Sequence, residues 1–436
     1  MRRRNSATVT CVTLCTAPVR GSAFSGPSEA CEIRDGRAEL RAFARVGVGS
    51  TPSPGKRSAD LERVRDAAFP DVRFSRIQHS RRPSIPAPPL AAGRLRRRLR
   101  VLTGSHPGAR ALRTCQTTGM RAMVYRSYGG PERLELAELP EPAARAGRVL
   151  IRVACASVNP VDWKKAEGQL RFFQPASFPV VAGYDVSGTV VGVGEGVTGF
   201  APGDRVHARI KEGRGGASAE LASAGVDVTC KMPSSMSFAD AAALPLAGMT
   251  ALQGLRDGAK LPLEGASARV LVVGASGGVG HLGVQIARAM GAEVVGVCST
   301  RNVELVRGLG AHRVIDYTRE DAFAGEAPFD VVLDCVGPDM PKWLAMLTPK
   351  GRYVSCLPGP DVFARSALNI VCGKKTHPVL LRSRASDLAI LDGLYEAGKL
   401  RVVIDSRHAL ADLRAAWDRS RSGRAVGKIV IDVSPA

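Results

Sequence analysis

With 436 residues, 45% of them apolar or aromatic, the chain is long enough for two or three domains with full cores, and no apolar run approaches the length of a membrane-spanning helix. Ten scattered cysteines with no C-x-x-C pair argue against a zinc ribbon, a thioredoxin-like motif or a secreted disulfide scaffold, and for a reducing, cytoplasmic setting. The net charge of +21 divides unevenly: residues 1–119 carry 23 Lys and Arg against 8 Asp and Glu (+15), and residues 120–436 carry 38 against 32 (+6), so no nucleic-acid partner is expected for the larger part.

Residues 1–119 contain no Trp and no Tyr, and only Lys56 among their basic residues is a lysine. No apolar period persists, which predicts a disordered basic extension. Three readings compete for it. Residues 1–28 have four Arg, no acid and many Ser, Thr and Ala, in the manner of a transit segment to an organelle stroma or matrix. Arg94 to Arg100 is a candidate patch for nucleic acid or an anionic membrane. The third reading is an upstream extension, with the working protein starting at Met120.

Beyond Met120 the pattern is that of a folded protein. Val149–Ala154, Val186–Val193 and Arg205–Ala208 read as short strands separated by glycine and proline turns, predicting an all-β barrel-like unit to about residue 240. Phe238–Leu255 reads as helical, broken at Pro245 and Gly248. Val270–Val273 is then a β-branched strand running into Gly274, Gly277, Gly278 and Gly280, followed by a helix that Gly291 stops. Strand, glycine turn and helix aim free backbone N–H groups at a diphosphate. Alone, such a turn also merely joins a strand to a helix. Further strands at Glu293–Cys298, Arg313–Tyr317, Asp330–Asp334 and Arg352–Ser355 alternate with helices at Val303–Leu309 and Leu344–Leu347. This is the pattern of a doubly wound parallel sheet. A helix at Leu388–Ala397 and a closing strand at Gly427–Ile431 complete the chain.

Several stretches together resemble the medium-chain dehydrogenase/reductase superfamily, in its zinc-free quinone oxidoreductase branch. They are Asn159-Pro160-Val161-Asp162-Trp163-Lys164, Gly183-Tyr184-Asp185-Val186-Ser187-Gly188, Pro202-Gly203-Asp204-Arg205-Val206, Ala242 to Ala251, the glycine turn, Leu309-Gly310-Ala311 to Tyr317, and Gly427-Lys428. The resemblance implies a GroES-like catalytic domain at residues 120–243, a Rossmann NADP-binding domain at 244–375, and a return segment at 376–436 that completes the catalytic domain. It also implies a homodimer. Asn159 and Tyr184 stand where zinc-dependent relatives have cysteine and histidine. Neither is a usual zinc ligand, so no metal is expected.

For the cofactor, Cys298-Ser299-Thr300-Arg301-Asn302 has no acid where NAD-binding versions place one. Ser299 and Thr300 can donate to a 2′-phosphate and Arg301 offers a fork of donors, which favours NADPH; as a solvated loop charge Arg301 would do nothing. Ser276, Gly277, Gly278, Val279 and Gly280 are the expected diphosphate cradle. Tyr317 matches a family tyrosine near the adenosine phosphate. Thr250 matches a threonine beside the nicotinamide, or else bonds back to its own helical turn. Cys335 and Gly337 follow a strand at the ribose position, with Cys335 read as packing rather than reactive.

Without a metal, donors must stabilise the oxyanion that forms when a carbonyl accepts hydride. Asn159, Lys164 and Tyr184 are the candidates, against the plainer readings of a turn-forming Asn and a solvated Lys. The resulting expectation is an NADPH-dependent reductase of a small electrophile: a quinone, an enone or an enal. Reduction of enoyl thioesters is one alternative, and a non-enzymatic NADPH-binding role, crystallin-like or RNA-binding, is another.

Overall fold

Short β-branched runs between glycine and proline turns become strands wherever a face can be buried, and residues 119–434 follow that rule twice over. The computed structural model describes these residues except 173, 212–215, 327, 338 and 372. The expected extension, with its transit-like residues 1–28 and the arginine-rich stretch 94–100, lies outside the described residues.

The first half supplies strands β1 (Gly119–Tyr125), β2 (Glu135–Pro140), β3 (Arg148–Val158), β4 (Val180–Val181), β5 (Asp185–Val193), β6 (Arg205–Arg209), β7 (Leu221–Gly225) and β8 (Thr229–Lys231). Helix α1 (Pro160–Ala166) interrupts them, and α2 (Phe238–Ala243) and α3 (Pro245–Gln253) follow. β2, β1 and β4 form a small sheet. A larger one runs β15-β16-β3-β5-β6-β8, with β7 also paired to β3, where β15 (Ile404–Ala409) and β16 (Lys428–Asp432) return from the end of the chain. Val149, Ile151, Val153, Val186 and Val206 fill its interior with Ile429, Ile431 and Trp417.

The second half builds a six-stranded parallel sheet in the order β11-β10-β9-β12-β13-β14. Its strands are β9 (Arg269–Val273), β10 (Glu293–Cys298), β11 (Arg313–Asp316), β12 (Phe329–Asp334), β13 (Leu347–Ser355) and β14 (Lys375–Pro378). Helices α4 (Gly280–Ala289), α5 (Val303–Gly308), α6 (Met340–Ala345), α7 (Pro360–Ala367), α8 (Ala385–Glu396) and α9 (Leu413–Arg421) accompany it and the return segment. The strand order reverses between β9 and β12. Their carboxyl ends therefore open a crevice, and the glycine turn and Cys335–Gly337 both lie there.

Three expectations change in detail. Gly248 does not break its helix: α3 runs through it, and the glycine serves packing instead, since a Cβ there would come within 2.8 Å of Leu391 Cδ1. The helix expected at Leu344–Leu347 is α6, ending at Ala345; Leu347 already pairs with Phe329 as the start of β13. The expected boundary at residues 375/376 falls inside β14, whose register with β13 (Arg352 to Lys375, Ser355 to Pro378) makes it part of the parallel sheet.

Candidate active site

Three neighbouring strands assemble the polar centre. Antiparallel pairing sets Ile429 of β16 opposite Val158 of β3, so the next pair along brings Lys428 beside Asn159. On the other side of β3, Ser157 stands opposite Asp185 of β5. Asn159 follows β3 as the N-cap of α1, with Pro160 preset for the first helical position, and its backbone N–H donates to Asp162 Oδ2 at 2.7 Å. Its side chain does something else. Asn159 Nδ2 donates to Asp185 Oδ2 at 2.9 Å, and Asn159 Oδ1 accepts from Lys428 Nζ at 2.5 Å; the same ammonium donates to the Val158 carbonyl at 2.9 Å.

Asp185 accepts in addition from Ser157 Oγ at 3.3 Å and from the Leu246 N–H, 3.2 Å from each oxygen. Each of these partners is a donor, the environment of an ionised carboxylate. Burial nevertheless pushes the Asp185 pKa up, with Lys428 and the Asn159 amide opposing it. Burial likewise pulls Lys428 down, against the pull of Asp185 and Asp162. Asn159 is 1% and Lys428 3% exposed. The result is a desolvated amino group held by the Asn159 amide and the Val158 carbonyl, close enough to Asp185 and Asp162 for their charge to act on it.

The sequence placed the lysine of interest at Lys164, whereas the lysine bonded to Asn159 is Lys428. Lys164 is half-buried, with Nζ 5.6 Å from the Trp163 ring centroid. The inward face of α1 carries Asp162, Lys165 and Ala166, the i, i+3, i+4 stripe, and Lys165 lies 5.4 Å from the Tyr184 ring centroid with Arg209 at 5.1 Å. Lys165 was readable from that helical phase. Lys428 belongs to the terminal Gly427-Lys428 pair, but nothing local marks it as buried, because only strand register carries it to Asn159.

The dinucleotide side begins at Gly280, the first residue of α4. A Cβ there would lie 2.1 Å from the Gly274 carbonyl oxygen, so the turn closes only around glycine. Ser276, Gly277, Gly278 and Val279 form the turn ahead of the helix N-terminus, the end of a helix that favours an anion, although the His281 N–H is already committed to the Gly277 carbonyl and the Gly277 N–H to the Gly274 carbonyl, each at 3.0 Å. The turn also touches the polar centre: Gly427 N–H donates to the Ser276 carbonyl at 2.8 Å, and a Cβ at Gly278 would meet Lys428 Cδ at 3.5 Å.

Asn302 ties the second loop to the first. Its Nδ2 donates to Ser276 Oγ at 2.9 Å and Ser299 Oγ at 3.4 Å, which leaves both serine protons available. Thr300 differs from the expectation: Thr318 Oγ1 donates to Asp316 at 2.7 Å, so the 2.7 Å contact between the two threonines commits the Thr300 proton inward. Arg301 Nη2 donates to the Arg424 carbonyl at 3.1 Å, and Tyr317 is 60% exposed.

Thr250 Oγ1 donates to the Leu246 carbonyl at 2.7 Å, the back-bonded arrangement. Cys335 Sγ lies 3.8 Å from Cys356 Sγ. Gly337 has φ +106°, and its N–H and that of Val336 both donate to Asp334 Oδ1, while Tyr353 Oη donates to the other oxygen. Asp334, unremarked in the sequence, thus shapes the turn at the crevice.

A glycine turn at the switch point of a parallel sheet, joined through one β-strand to a polar centre in a barrel-like sheet, defines a two-lobed nicotinamide-dependent oxidoreductase. Residues 145–253 match the family described as alcohol dehydrogenase GroES-like domain, and residues 309–431 the family described as zinc-binding dehydrogenase. The chain belongs to the medium-chain dehydrogenase/reductase superfamily, in its quinone oxidoreductase branch. It is 39% identical to the chloroplast envelope quinone oxidoreductase homolog of Arabidopsis thaliana over 72% of this chain and 98% of that protein. It is 32% identical to the NADPH-dependent alkenal/one oxidoreductase of the same plant, over 72% and 79%. Among solved structures, the quinone oxidoreductase from Coxiella burnetii superposes with a TM-score of 0.66 at 31% identity, covering 73% of this chain and all of that one.

Proposed function

We propose that the protein is an NADPH-dependent reductase that transfers hydride to a quinone or an α,β-unsaturated carbonyl without a catalytic zinc. The observation that carries the reading is Lys428. The buried Lys428 amino group bonded to Asn159 occupies the polar centre, so a divalent ion beside Asn159 would meet a competing hydrogen-bond donor as well as a poor ligand set. The family description that mentions zinc is not matched by zinc ligands at Asn159 or Tyr184.

When bound, the reduced nicotinamide supplies the hydride. The chain's residues do the rest. Lys428 supplies positive charge towards the developing carbonyl oxyanion in a desolvated setting, where charge acts most strongly. Asp185 holds the Asn159 amide in place, and Asn159 holds Lys428. Tyr184, with Lys165 and Arg209 against its ring, is a second polar group on the same side. Ser276 to Gly280 cradle the diphosphate, and Ser299 and Arg301 bind the 2′-phosphate, with Tyr317 offering a flat ring to the adenosine. We assign the dinucleotide lobe to residues 244–378, through β14, and the remaining described residues to the catalytic lobe.

The test follows NADPH and NADH consumption against a quinone, a short 2-alkenal, a long-chain enone and an enoyl thioester. The quinone or an enone is expected to turn over fastest; preference for the thioester would replace the substrate reading. Arg301→Ala is expected to lower the NADPH/NADH ratio of kcat/KM by about tenfold, the scale of one charge-assisted hydrogen bond. An unchanged ratio refutes the cofactor assignment. The chloroplast names of several relatives, together with residues 1–28, support delivery to an organelle; a fluorescent fusion of residues 1–119 that stays in the cytoplasm would count against it.

A further inference from the structure

On the far side of β6 from β5, a buried cluster takes no part in the chemistry above. His207 of β6 and Cys230 of β8 are register partners, so their side chains leave the sheet side by side, and Asp392 of α8 faces them. One ligand atom from each lies within 4.8 Å of the others. His207 is fully buried, Asp392 is 6% exposed and Cys230 half-buried.

The hydrogen bonding is incomplete in a particular way. His207 Nδ1 faces the Ala241 carbonyl at 3.1 Å, and a carbonyl only accepts, so Nδ1 carries the ring proton. Nε2 then turns its lone pair on Asp392 Oδ2, also at 3.1 Å. Two acceptors face each other. The second oxygen of Asp392, Oδ1, is buried, and the Cys230 thiol is the donor turned towards this carboxylate; burial and that contact push the thiol pKa up to about 12. A cation among the three side chains resolves both defects. Without it, Nε2 needs a second ring proton and the carboxylate rests on the weak S–H donor of Cys230.

We propose that His207, Cys230 and Asp392 form a structural site for a zinc-class divalent cation. Imidazole nitrogen, thiolate sulfur and carboxylate oxygen suit such an ion, and two anionic ligands balance its charge. The Nδ1–H bond to Ala241 is the outer contact that orients a metal-binding imidazole. With bonds of about 2.0–2.3 Å, tetrahedral ligands stand roughly 3.3–3.8 Å apart, so side-chain shifts on the order of 1 Å close the site. Half-exposed Cys230 marks the way in, and its thiol proton leaves on binding. Because α8 packs on both α3 and β8, the ion would pin this helix to the barrel-like sheet.

Cobalt titration of the full chain, stripped with a chelator, tests this. One Co²⁺ per chain is expected, with a thiolate-to-metal charge-transfer band that Zn²⁺ abolishes. Cys230→Ser and His207→Gln should lose the band, whereas Cys356→Ala should keep it, separating this thiol from the Cys335–Cys356 pair. Zn²⁺ should raise the Tm of the stripped wild-type chain and not that of Cys230→Ser. A wild-type chain that gives no thiolate band overturns the proposal whether or not the variants fold. So does a band that survives Cys230→Ser. Either result would assign His207 and Asp392 as a proton-mediated pair.

Discussion

Lys428 is an ammonium group that burial penalises and that Asp185 and Asp162 support. Lys428→Met leaves Asp185 buried without that cation, and denaturant unfolding should show a loss of roughly 3–5 kcal/mol. Adding Asp185→Asn removes the stranded charge, so the double variant should regain part of the loss; strictly additive losses would show that the two side chains are independent. Asp162 gives a pH-dependent test. Burial pushes its pKa from 3.8 up to about 7, against the bond from the Asn159 N–H. Because the folded value is raised, the protonated acid favours the native state: its contribution is complete below pH about 4 and is lost as pH rises through about 7. Asp162→Asn keeps an acceptor for Asn159 and never ionises, so its Tm should gain on the wild type from pH 5 to pH 8. A constant gap would rule the titration out. These residues were only partly legible beforehand. Asn159 and Tyr184 stood out by type and motif, but which lysine is buried depended on the phase of α1 and on a strand register spanning 269 residues, and neither shows in a local pattern.

At the scale of elements, the glycine turn separates two demands that the sequence alone runs together. Gly280 is required by the fold, since a Cβ would sit 2.1 Å from a backbone oxygen, whereas at Gly278 the nearest atoms would be at 3.4 and 3.5 Å, ordinary contact. Gly280→Ala should therefore cost about 3 kcal/mol or more and reduce soluble yield. Gly278→Ala should unfold near the wild-type temperature yet raise KM for the dinucleotide, because its added methyl group lies on the cradle. If Gly278→Ala bound the dinucleotide as well as wild type, the cradle would have to be placed elsewhere in the turn. The strand, turn and helix around Gly280 were legible because their signals are local: a β-branched run, clustered glycines and a helix-compatible stretch. β14 and β15 were not. Lys375-Thr376-His377-Pro378 and Ile404 to Ala409 lack both an apolar run and a clean alternation, and they become strands only because β13 and β16 offer unpaired edges.

Over the whole described molecule, β16 is the element that joins both chemistries. It brings Lys428 to Asn159 on one side, and Gly427, just ahead of it, bonds the Ser276 carbonyl of the glycine turn on the other. The alternation of strands and helices announced the parallel sheet; that the chain's end completes the other sheet came from resemblance, since no residue in Gly427–Ile431 says which strand it will pair with. The bridge predicts that dinucleotide binding stabilises both lobes as one cooperative unit. At a free concentration one hundred times its Kd, NADPH should add about 2.7 kcal/mol; a ligand bound tenfold more weakly, at the same concentration, should add about 1.4 kcal/mol. Each kcal/mol moves Tm by on the order of 2 °C in a folded region of this size. A thermal scan should therefore show one transition that NADPH raises by about 5 °C and NADH by less, with Arg301→Ala bringing NADPH down to the NADH level. Two transitions, of which NADPH moves only one, would mean that the Ser276–Gly427 bond does not couple the lobes. Equal shifts with both dinucleotides would instead refute the proposal that Ser299 and Arg301 bind a 2′-phosphate.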